Sequence, residues 1–282
     1  AARVALVTDS TCDLPASLFE ELNIGVVPVR VYFGSENYLD KVTLTPSEFY
    51  ARFAVTREQP KTSQPPPADF TQVYQNMATH AGSIVSIHLS AAVSGTYQAA
   101  IVGSRPVEKT RFEHVDSKTV SVALGLIVRA AAEAAASGKS AEEVARVARD
   151  AATRARLFIA VPTLEHLVRG GRVSPVKGLF AKILGLLPVL TISKEGAAEP
   201  AAKARGFSAA RRKMMALLFE AAEAGRSGRQ FGVAHCDADA LAGSIAHEIR
   251  QRYPESDVMI VECGPALGAH GGPGAVAVAV LA

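Results

Sequence analysis

Apolar stretches of strand length alternate with amphipathic stretches of helix length through roughly the first 160 residues. The helical stretch Pro67–Ala81 has apolar side chains on one face, and the apolar stretch Ser83–Leu89 follows it directly. Such alternation is typical of β-α-β units, in which strands lie parallel and helices cover both faces of the sheet. The pattern predicts an α/β fold with a mostly parallel sheet. The predicted strands are Val4–Thr8, Gly25–Phe33, Ser83–Leu89 and Phe112–Val115, and the helices include Pro15–Leu22, Pro67–Ala81, Val120–Ala136 and Ala141–Arg156.

The pattern changes after the apolar stretch Leu157–Pro162. Val189–Ser193 and Glu199–Ala204 flank Glu195-Gly196 and predict a β-hairpin. Around it we expect the helices Thr163–Gly170, Val176–Leu186, Ser208–Ala224 and Asp239–Arg252, and the strands Gln230–His235, Val258–Cys263 and Ala275–Leu281. The chain is therefore interpreted as two α/β domains, residues 1–160 and 161–282, the second a mixed α/β sandwich.

Two helix starts have a specific chemical signature. Thr45 is followed by Pro46 and, three positions on, by Glu48, and Ser140 is followed in the same way by Glu143. A hydroxyl at the N-cap with glutamate three residues later predicts a capping box.

Charge and hydropathy argue against two classes of protein. The 282 residues contain 30 Lys and Arg against 27 Asp and Glu, a net charge of +3, whereas nucleic-acid-binding proteins present a strongly basic face. The longest apolar helix, Val120–Ala136, is interrupted by Arg129 and Glu133, so it is a poor candidate for a membrane span. We expect neither a nucleic-acid partner nor an integral membrane segment.

The cysteines and the N-terminal residues suggest a cytoplasmic location. Cys12, Cys236 and Cys263 are odd in number and form no C-x-x-C pair, which argues against a disulfide framework. The N-terminus leads directly into a short strand and lacks the long apolar region of a signal peptide.

The stretch Gly264–Gly274 contains five glycines, two prolines and His270 between two apolar strands. Glycine allows another group to approach the backbone closely, so we expect a loop with one titratable side chain at its centre. A plain turn with an exposed, idle histidine is the alternative.

Ser94-Gly95-Thr96-Tyr97 lies where a predicted strand leads into a helix. Ser94 is expected to be the N-cap, and the free N–H groups behind it would suit a small anion such as a carboxylate. The segment lacks the spacing of a phosphate-binding P-loop and of a nucleophile elbow. Helix capping without a ligand is the alternative.

Three further segments are weaker candidates. Thr62-Ser63-Gln64-Pro65 carries two adjacent hydroxyls, and Asp9-Ser10-Thr11 follows the first strand, where ligands bind in open α/β sheets. Arg172 follows the double glycine that ends a predicted helix. Turn formation, helix capping and plain exposure are the respective alternatives.

Together these segments resemble the DegV family of fatty-acid-binding proteins, in the family's order and from end to end of the chain. The matching pieces are Thr8-Asp9-Ser10, Thr62-Ser63-Gln64-Pro65, Ser94-Gly95-Thr96-Tyr97, Val115-Asp116-Ser117, Leu167–Ser174 and Gly264–Gly274. The resemblance implies two α/β domains that bury a long-chain fatty acid such as palmitate, with no metal or other cofactor.

The resemblance also implies roles for individual residues. The carboxylate would be held by hydroxyls of Thr62, Ser63, Ser94 and Thr96, with His270 beside them. Arg205, His270 and Arg172 would support the encounter with a partner kinase. Relatives of this kind are the acyl-carrying subunit of a bacterial fatty acid kinase, in which the partner supplies ATP and the product is an acyl phosphate.

Two positions depart from the family's pattern. Gly271 stands where the family's loop has a threonine, so one expected hydroxyl near the carboxylate is missing. Gly206 likewise replaces a threonine after Arg205.

Two other functions are compatible with the same residues. Ser94, His270 and Asp9 could form the Ser-His-Asp site of an acyl hydrolase or transferase. A module that binds a sugar or a small acid is the third hypothesis. The chain has no nucleotide-phosphate loop and no Asp-rich magnesium cluster, so we expect no kinase activity from the chain alone.

Overall fold

A computed structural model describes residues 3–56, 58–172, 186–225 and 228–282. The strands, numbered along the chain, are β1 Val4–Asp9, β2 Ile24–Val27, β3 Arg30–Phe33, β4 Glu36–Leu39, β5 Lys61–Ser63, β6 Ser83–His88, β7 Arg111–Asp116, β8 Ala155–Ala160, β9 Leu186–Ile192, β10 Ala198–Arg205, β11 Gln230–His235, β12 Asp257–Glu262 and β13 Val276–Leu281. The helices are α1 Ala16–Glu21, α2 Pro46–Val55, α3 Pro67–Ala78, α4 Thr96–Ser104, α5 Ser121–Ala136, α6 Ala141–Arg154, α7 Glu165–Gly170, α8 Phe207–Ala224, α9 Asp239–Arg252 and α10 Pro265–Gly271.

The N-terminal part contains a four-stranded sheet of order β2-β1-β6-β7, and all its strands are parallel. Side chains alternate between its faces, so Ala5 and Val7 pack in the cluster that includes α3 and α4, whereas Leu6 packs with α5 and α6. The predicted parallel sheet with helices on both faces is therefore confirmed. Both predicted capping boxes, Thr45 with Glu48 and Ser140 with Glu143, are also formed.

The predicted strand Gly25–Phe33 is in fact two strands. Proline 28 lies between β2 and β3 and has no N–H for a sheet ladder, so the strand breaks there. β2 belongs to the parallel sheet, whereas β3 is the centre of a separate antiparallel sheet of order β4-β3-β5. In this small sheet Thr62 pairs with Val31 and Ser63 with Arg30, which positions two predicted site residues.

The second large sheet has six strands in the order β10-β9-β8-β13-β11-β12 and is mixed, with β11 and β12 parallel and the other neighbours antiparallel. The predicted hairpin of β9 and β10 is confirmed. β8 belongs to this sheet although it precedes residue 160, and the division of the chain into domains at that point stays a prediction.

Helix α5 packs between the two large sheets. It contacts β1 on one side and β8, β11 and β13 on the other. Eleven of its 16 residues are buried, from Ser121 to Ala134. A helix that is apolar on nearly all sides is expected where two layers cover it. Helices α8 and α9 pack on the opposite face of the six-stranded sheet.

The expectation of a loop throughout Gly264–Gly274 is wrong, because its first part forms helix α10. Pro265 takes the first helical position, where no N–H is needed, and Gly272 ends the helix with a φ of +74°. Of the predicted helix Val176–Leu186, residues 176–185 lie outside the described residues, and Leu186 begins β9.

Candidate functional site

A cavity lies where the end of the parallel sheet, the small antiparallel sheet and the six-stranded sheet meet. Its apolar lining is Val29, Leu89, Val93, Val120, Ile159, Leu167, Leu190, Ile192, Ala198, Ala266 and Leu267. Its polar lining is Thr11, Thr62, Ser63, Gln64, Ser94, Arg172 and His270. An apolar cavity with a few convergent polar groups is the usual form of a small-molecule site.

Five of the predicted site residues therefore line one cavity, namely Thr62, Ser63, Ser94, Arg172 and His270. Two others do not belong to the lining formed by the described residues. Thr96 is buried behind Ser94, and Arg205 is exposed at the end of β10.

His270 is bound to Thr62. The Nε2 atom of His270 lies 2.8 Å from Thr62 Oγ1, whereas Nδ1 is buried and has no hydrogen-bond partner. A Cβ atom added to Gly170 would lie 2.2 Å from that Nδ1, so α7 can pack against the ring only because a glycine stands there. The histidine keeps some exposed surface, but its Nδ1 atom is shielded from water.

His270 is neutral near pH 7. Burial, with a smaller contribution from the positive charge of Arg172, lowers the pKa of His270 to about 4. A neutral ring can still donate one hydrogen bond or accept one, depending on its tautomer. Among the described residues, Arg172 is the one cationic side chain in the cavity lining.

Ser94 is not the N-cap residue that the sequence predicted. Helix α4 begins at Thr96, and its N-cap is Gly95. Ser94 Oγ nevertheless accepts a hydrogen bond from the Thr96 N–H at 3.2 Å and lies 2.8 Å from Thr96 Oγ1. Thr96 thus orients Ser94 instead of reaching the cavity itself. Glycine is accepted at the N-cap position, and here the hydroxyl of the preceding residue, Ser94, takes the Thr96 N–H in its place.

Gln64 and Thr11 also line the cavity, although the family resemblance assigned neither of them a role. A Cβ atom at Gly95 would lie 2.1 Å from Gln64 Oε1, so the glutamine packs directly over the start of α4. Thr11 is held by Asp9, which accepts its N–H at 3.0 Å and its hydroxyl at 2.5 Å. The sequence pointed to them only through their positions within the candidate segments Thr62–Pro65 and Asp9–Thr11.

Asp9 has a different partner from the one a catalytic triad requires. Its second oxygen lies 3.0 Å from His88 Nδ1 and accepts the Leu89 N–H at 3.1 Å. Burial alone would raise the pKa of Asp9, but the hydrogen bonds with His88, Thr11 and Leu89 outweigh it and lower the pKa. His270 is bound to Thr62 instead. The proposed Ser94–His270–Asp9 triad is therefore not assembled.

The comparisons with known proteins agree over the whole chain. Residues 3–282 match the family model described as "Uncharacterised protein, DegV family". The chain belongs to the DegV family. A DegV domain-containing protein of Streptomyces coelicolor is 36% identical over 281 residues, which are 98% of each chain.

Two solved DegV structures have the same fold. DegV of Bacillus subtilis, described as a fatty acid binding protein, superposes with a TM-score of 0.92 at 28% identity and covers 99% of each chain. A DegV family protein of Thermus thermophilus, described by its fatty acid binding, gives a TM-score of 0.91 at 31% identity over 99% of each chain.

The two departures from the DegV pattern have different surroundings. A Cβ atom at Gly271 would lie 3.2 Å from the Ala275 Cβ and 3.4 Å from the Cys236 Sγ, so a larger residue would press on this packing. Gly206 has a φ of +79° and no neighbour near its Cβ position. There the backbone conformation, and not lack of space, favours glycine over threonine.

Neither a metal-binding cluster nor a membrane-spanning helix occurs among the described residues. No cluster of three or more histidine, cysteine or acidic side chains has the arrangement of a metal site. None of the described helices is both long and apolar enough to span a bilayer.

Proposed function

We propose that the cavity binds a long-chain fatty acid with its carboxylate near Thr62, Ser63, Ser94 and His270. One observation carries the proposal: these side chains and Arg172 line a single cavity whose other walls are mostly apolar. That combination suits a ligand with one small anionic group and a long hydrocarbon chain. The fatty-acid-binding DegV proteins of the same fold support it.

The acyl chain would supply most of the affinity. Burying about 14 methylenes at ~0.8 kcal/mol each gives on the order of 11 kcal/mol. This exceeds the several kcal/mol lost when a ligand is immobilised. The polar groups then set the orientation of the ligand.

The contacts proposed for the fatty acid carboxylate depend on which nitrogen of His270 carries the proton. With His270 neutral, the tautomer that carries the proton on Nε2 donates to Thr62 Oγ1 and leaves Nδ1 as a bare acceptor. The opposite tautomer would bury an N–H without a partner, which costs more. The Thr62 hydroxyl is then free to donate to the carboxylate. Arg172 supplies the positive charge that His270 lacks.

We further infer that the chain presents its bound acid to a separate kinase, which would form the acyl phosphate. Exposed Arg205 and Arg172 and partly exposed His270 are the candidates for this encounter. The support is the family resemblance together with a site built of hydroxyls. Hydroxyls orient a carboxylate without a charge of their own, and the positive charge of exposed Arg172 is screened by solvent. Neither therefore forms a tight ion pair that would weaken the attack of the carboxylate on a phosphoryl group.

The decisive experiment is to denature the purified protein, extract it and identify the bound compound by mass spectrometry. A fatty acid in near-stoichiometric amount is expected. Recovery of a sugar or a short-chain acid would replace the proposal with a small-molecule-binding module. A variant with Leu190 and Ile192 both changed to Gln provides the control, because it should lose a bound lipid.

A further inference from the structure

A buried carboxylate lies at the start of the helix that forms one wall of the cavity. Asp40 follows β4 and is 1% exposed. Its Oδ1 atom accepts the Ala266 N–H of α10 at 3.0 Å. The first N–H groups of a helix need partners from outside it, and α10 has no side-chain cap from its own N-cap residue, Gly264. Asp40 supplies that cap from a distant part of the chain.

The contact depends on close approach. A Cβ atom at Gly264 would lie 2.7 Å from Asp40 Oδ1 and 2.4 Å from Lys41 Cε. Near the other end of the helix, Gln59 Nε2 donates to the Ala269 carbonyl at 2.7 Å. Helix α10 is thus held at both ends by side chains of the N-terminal part. Three of its residues, Ala266, Leu267 and His270, line the cavity.

The charge of Asp40 is poorly compensated in this position. Its Oδ2 atom is buried and has no hydrogen-bond partner. Lys41 is adjacent, but its Nζ atom is bound to Asp13 at 2.8 Å, so its charge is shared. A buried carboxylate with one bare oxygen disfavours its ionised form. Burial accordingly raises the pKa of Asp40 to about 6, although Lys41, the nearby Ser10 hydroxyl and the hydrogen bond from Ala266 oppose this rise.

We propose that Asp40 sets how readily α10 leaves the cavity wall: its negative charge destabilises the closed position of the helix, and its protonation stabilises that position. When the helix moves away, the carboxylate meets water and its charge is no longer penalised. By linkage, loss of the proton must then favour the open state. The charged form would make entry and exit of the ligand easier near neutral pH.

Other titratable groups also surround α10, and the pKa shifts found among them move their titration away from the range between pH 5 and pH 7.5. Burial lowers the pKa of His270 to about 4 and, more weakly, that of His166, which packs against Gly272 at the end of the helix. Burial raises the pKa of Tyr50 well above its ordinary value. A hydrogen bond with Cys236 and, as a smaller cause, burial also raise the pKa of the Cys263 thiol. Asp13 and Lys41 form the ion pair already described.

Amide hydrogen exchange of the α10 peptide in ligand-free protein tests the proposal, with the parent compared with Asp40→Asn. After correction for intrinsic exchange, the parent should exchange at least ~10-fold faster than the variant at about pH 7.5, and this difference should narrow ~10-fold at about pH 5. An Asp69→Asn variant, which removes a partly exposed partner of Arg30, should follow the parent. Equal exchange in parent and Asp40→Asn at both pH values would overturn the proposal.

The pH profile of the parent provides a second measurement should Asp40→Asn fold poorly. Opening of α10 in the parent should rise from about pH 5 to about pH 7.5, and a flat or falling profile would refute the inference.

The part of this inference that concerns ligand exchange rests on the proposed function, and fatty acid dissociation measured by stopped flow separates the two. Slower release from Asp40→Asn than from the parent at about pH 7.5 supports both. If amide exchange of α10 differs between the parent and Asp40→Asn but neither protein binds fatty acid, the role of Asp40 is supported and the proposed function is refuted. If both proteins bind fatty acid, and their amide exchange and their fatty acid release are identical, only the role of Asp40 is refuted.

Discussion

At the scale of single residues, the candidate site is organised by side chains that hold other side chains. Asp9 fixes Thr11, Thr96 fixes Ser94, and Thr62 contacts His270. Each contact removes rotamer freedom before a ligand arrives, which lowers the entropy lost on binding. Asp9 and Thr96 hold lining residues without lining the cavity themselves, whereas Thr62 both lines the cavity and holds His270.

Replacement of Thr62 tests the hydrogen bond with His270. Thr62→Val keeps the shape but leaves both ring nitrogens of His270 without a partner and removes a donor for the carboxylate. We expect fatty acid affinity to fall ~10-fold, since a lost buried hydrogen bond costs about 1–3 kcal/mol. Titration with a fluorescent fatty acid gives the affinity. Thr62→Ser keeps the hydroxyl and should bind like the parent, and equal weakening by both variants would show that the methyl group matters instead.

Asp9 is expected to contribute to stability in a pH-dependent manner. Its pKa in the folded protein lies below the ordinary value of 3.8, so its contribution is present above about pH 4 and lost as the pH falls through the lower value. Asp9→Asn should cost ~3 kcal/mol of unfolding free energy at pH 7, because it breaks a buried charged network. Urea unfolding at several pH values measures this.

The matched control for Asp9 is Asp150→Asn, which breaks an exposed pair with Arg154 on α6. Such a pair is worth roughly 0.5 kcal/mol or less. If Asp9→Asn costs no more than this control, the Asp9–His88 contact has no structural role.

At the scale of elements, the sequence predicted those helix starts that depend on contacts between residues close together in the chain. The capping boxes at Thr45 and Ser140 involve residues three positions apart, and both form. The Asp40 contact with Ala266 joins residues 226 positions apart, so the cap that explains α10 could not be read from the glycine-rich stretch around it. Asp9 and His88 are 79 positions apart, so their contact could not be read from the local sequence either. Family motifs found most of the cavity's polar lining because they mark positions that the fold brings together.

Helix α5 is expected to be intolerant of added volume because it packs between two sheets. A Cβ atom at Gly125 would lie 2.2 Å from the Asp13 carbonyl oxygen, and a backbone atom cannot move away cheaply. Gly125→Ala should therefore destabilise the protein by ~1–3 kcal/mol, although alanine is the better helix former. Gly243→Ala on α9 has no neighbour within 4 Å of the new Cβ and should stabilise by ~0.5–1 kcal/mol. Urea unfolding should therefore give changes in unfolding free energy of opposite sign for the two variants. Stabilisation by both substitutions would contradict the packing of α5.

At the scale of the whole molecule, the cavity joins elements that are otherwise connected mainly through α5. Its walls include the loops after β1 and β6, β5, helices α7 and α10, and β8, β9 and β10 of the second sheet. A ligand in this cavity touches both large sheets at once. Binding should consequently stabilise the molecule as one unit, and not only the part that holds the carboxylate.

Removal of the ligand should therefore lower the melting temperature of the entire protein. A fatty acid at a free concentration 100 times its dissociation constant adds about 2.7 kcal/mol, which corresponds to roughly 5 °C for a chain of this length. Calorimetry of delipidated and reloaded protein should show one transition that moves by this amount. A six-carbon acid at the same concentration buries far fewer methylenes and should give almost no shift. An equal shift with the short acid would mean that the head group, and not the apolar wall shared by the two sheets, supplies the binding energy.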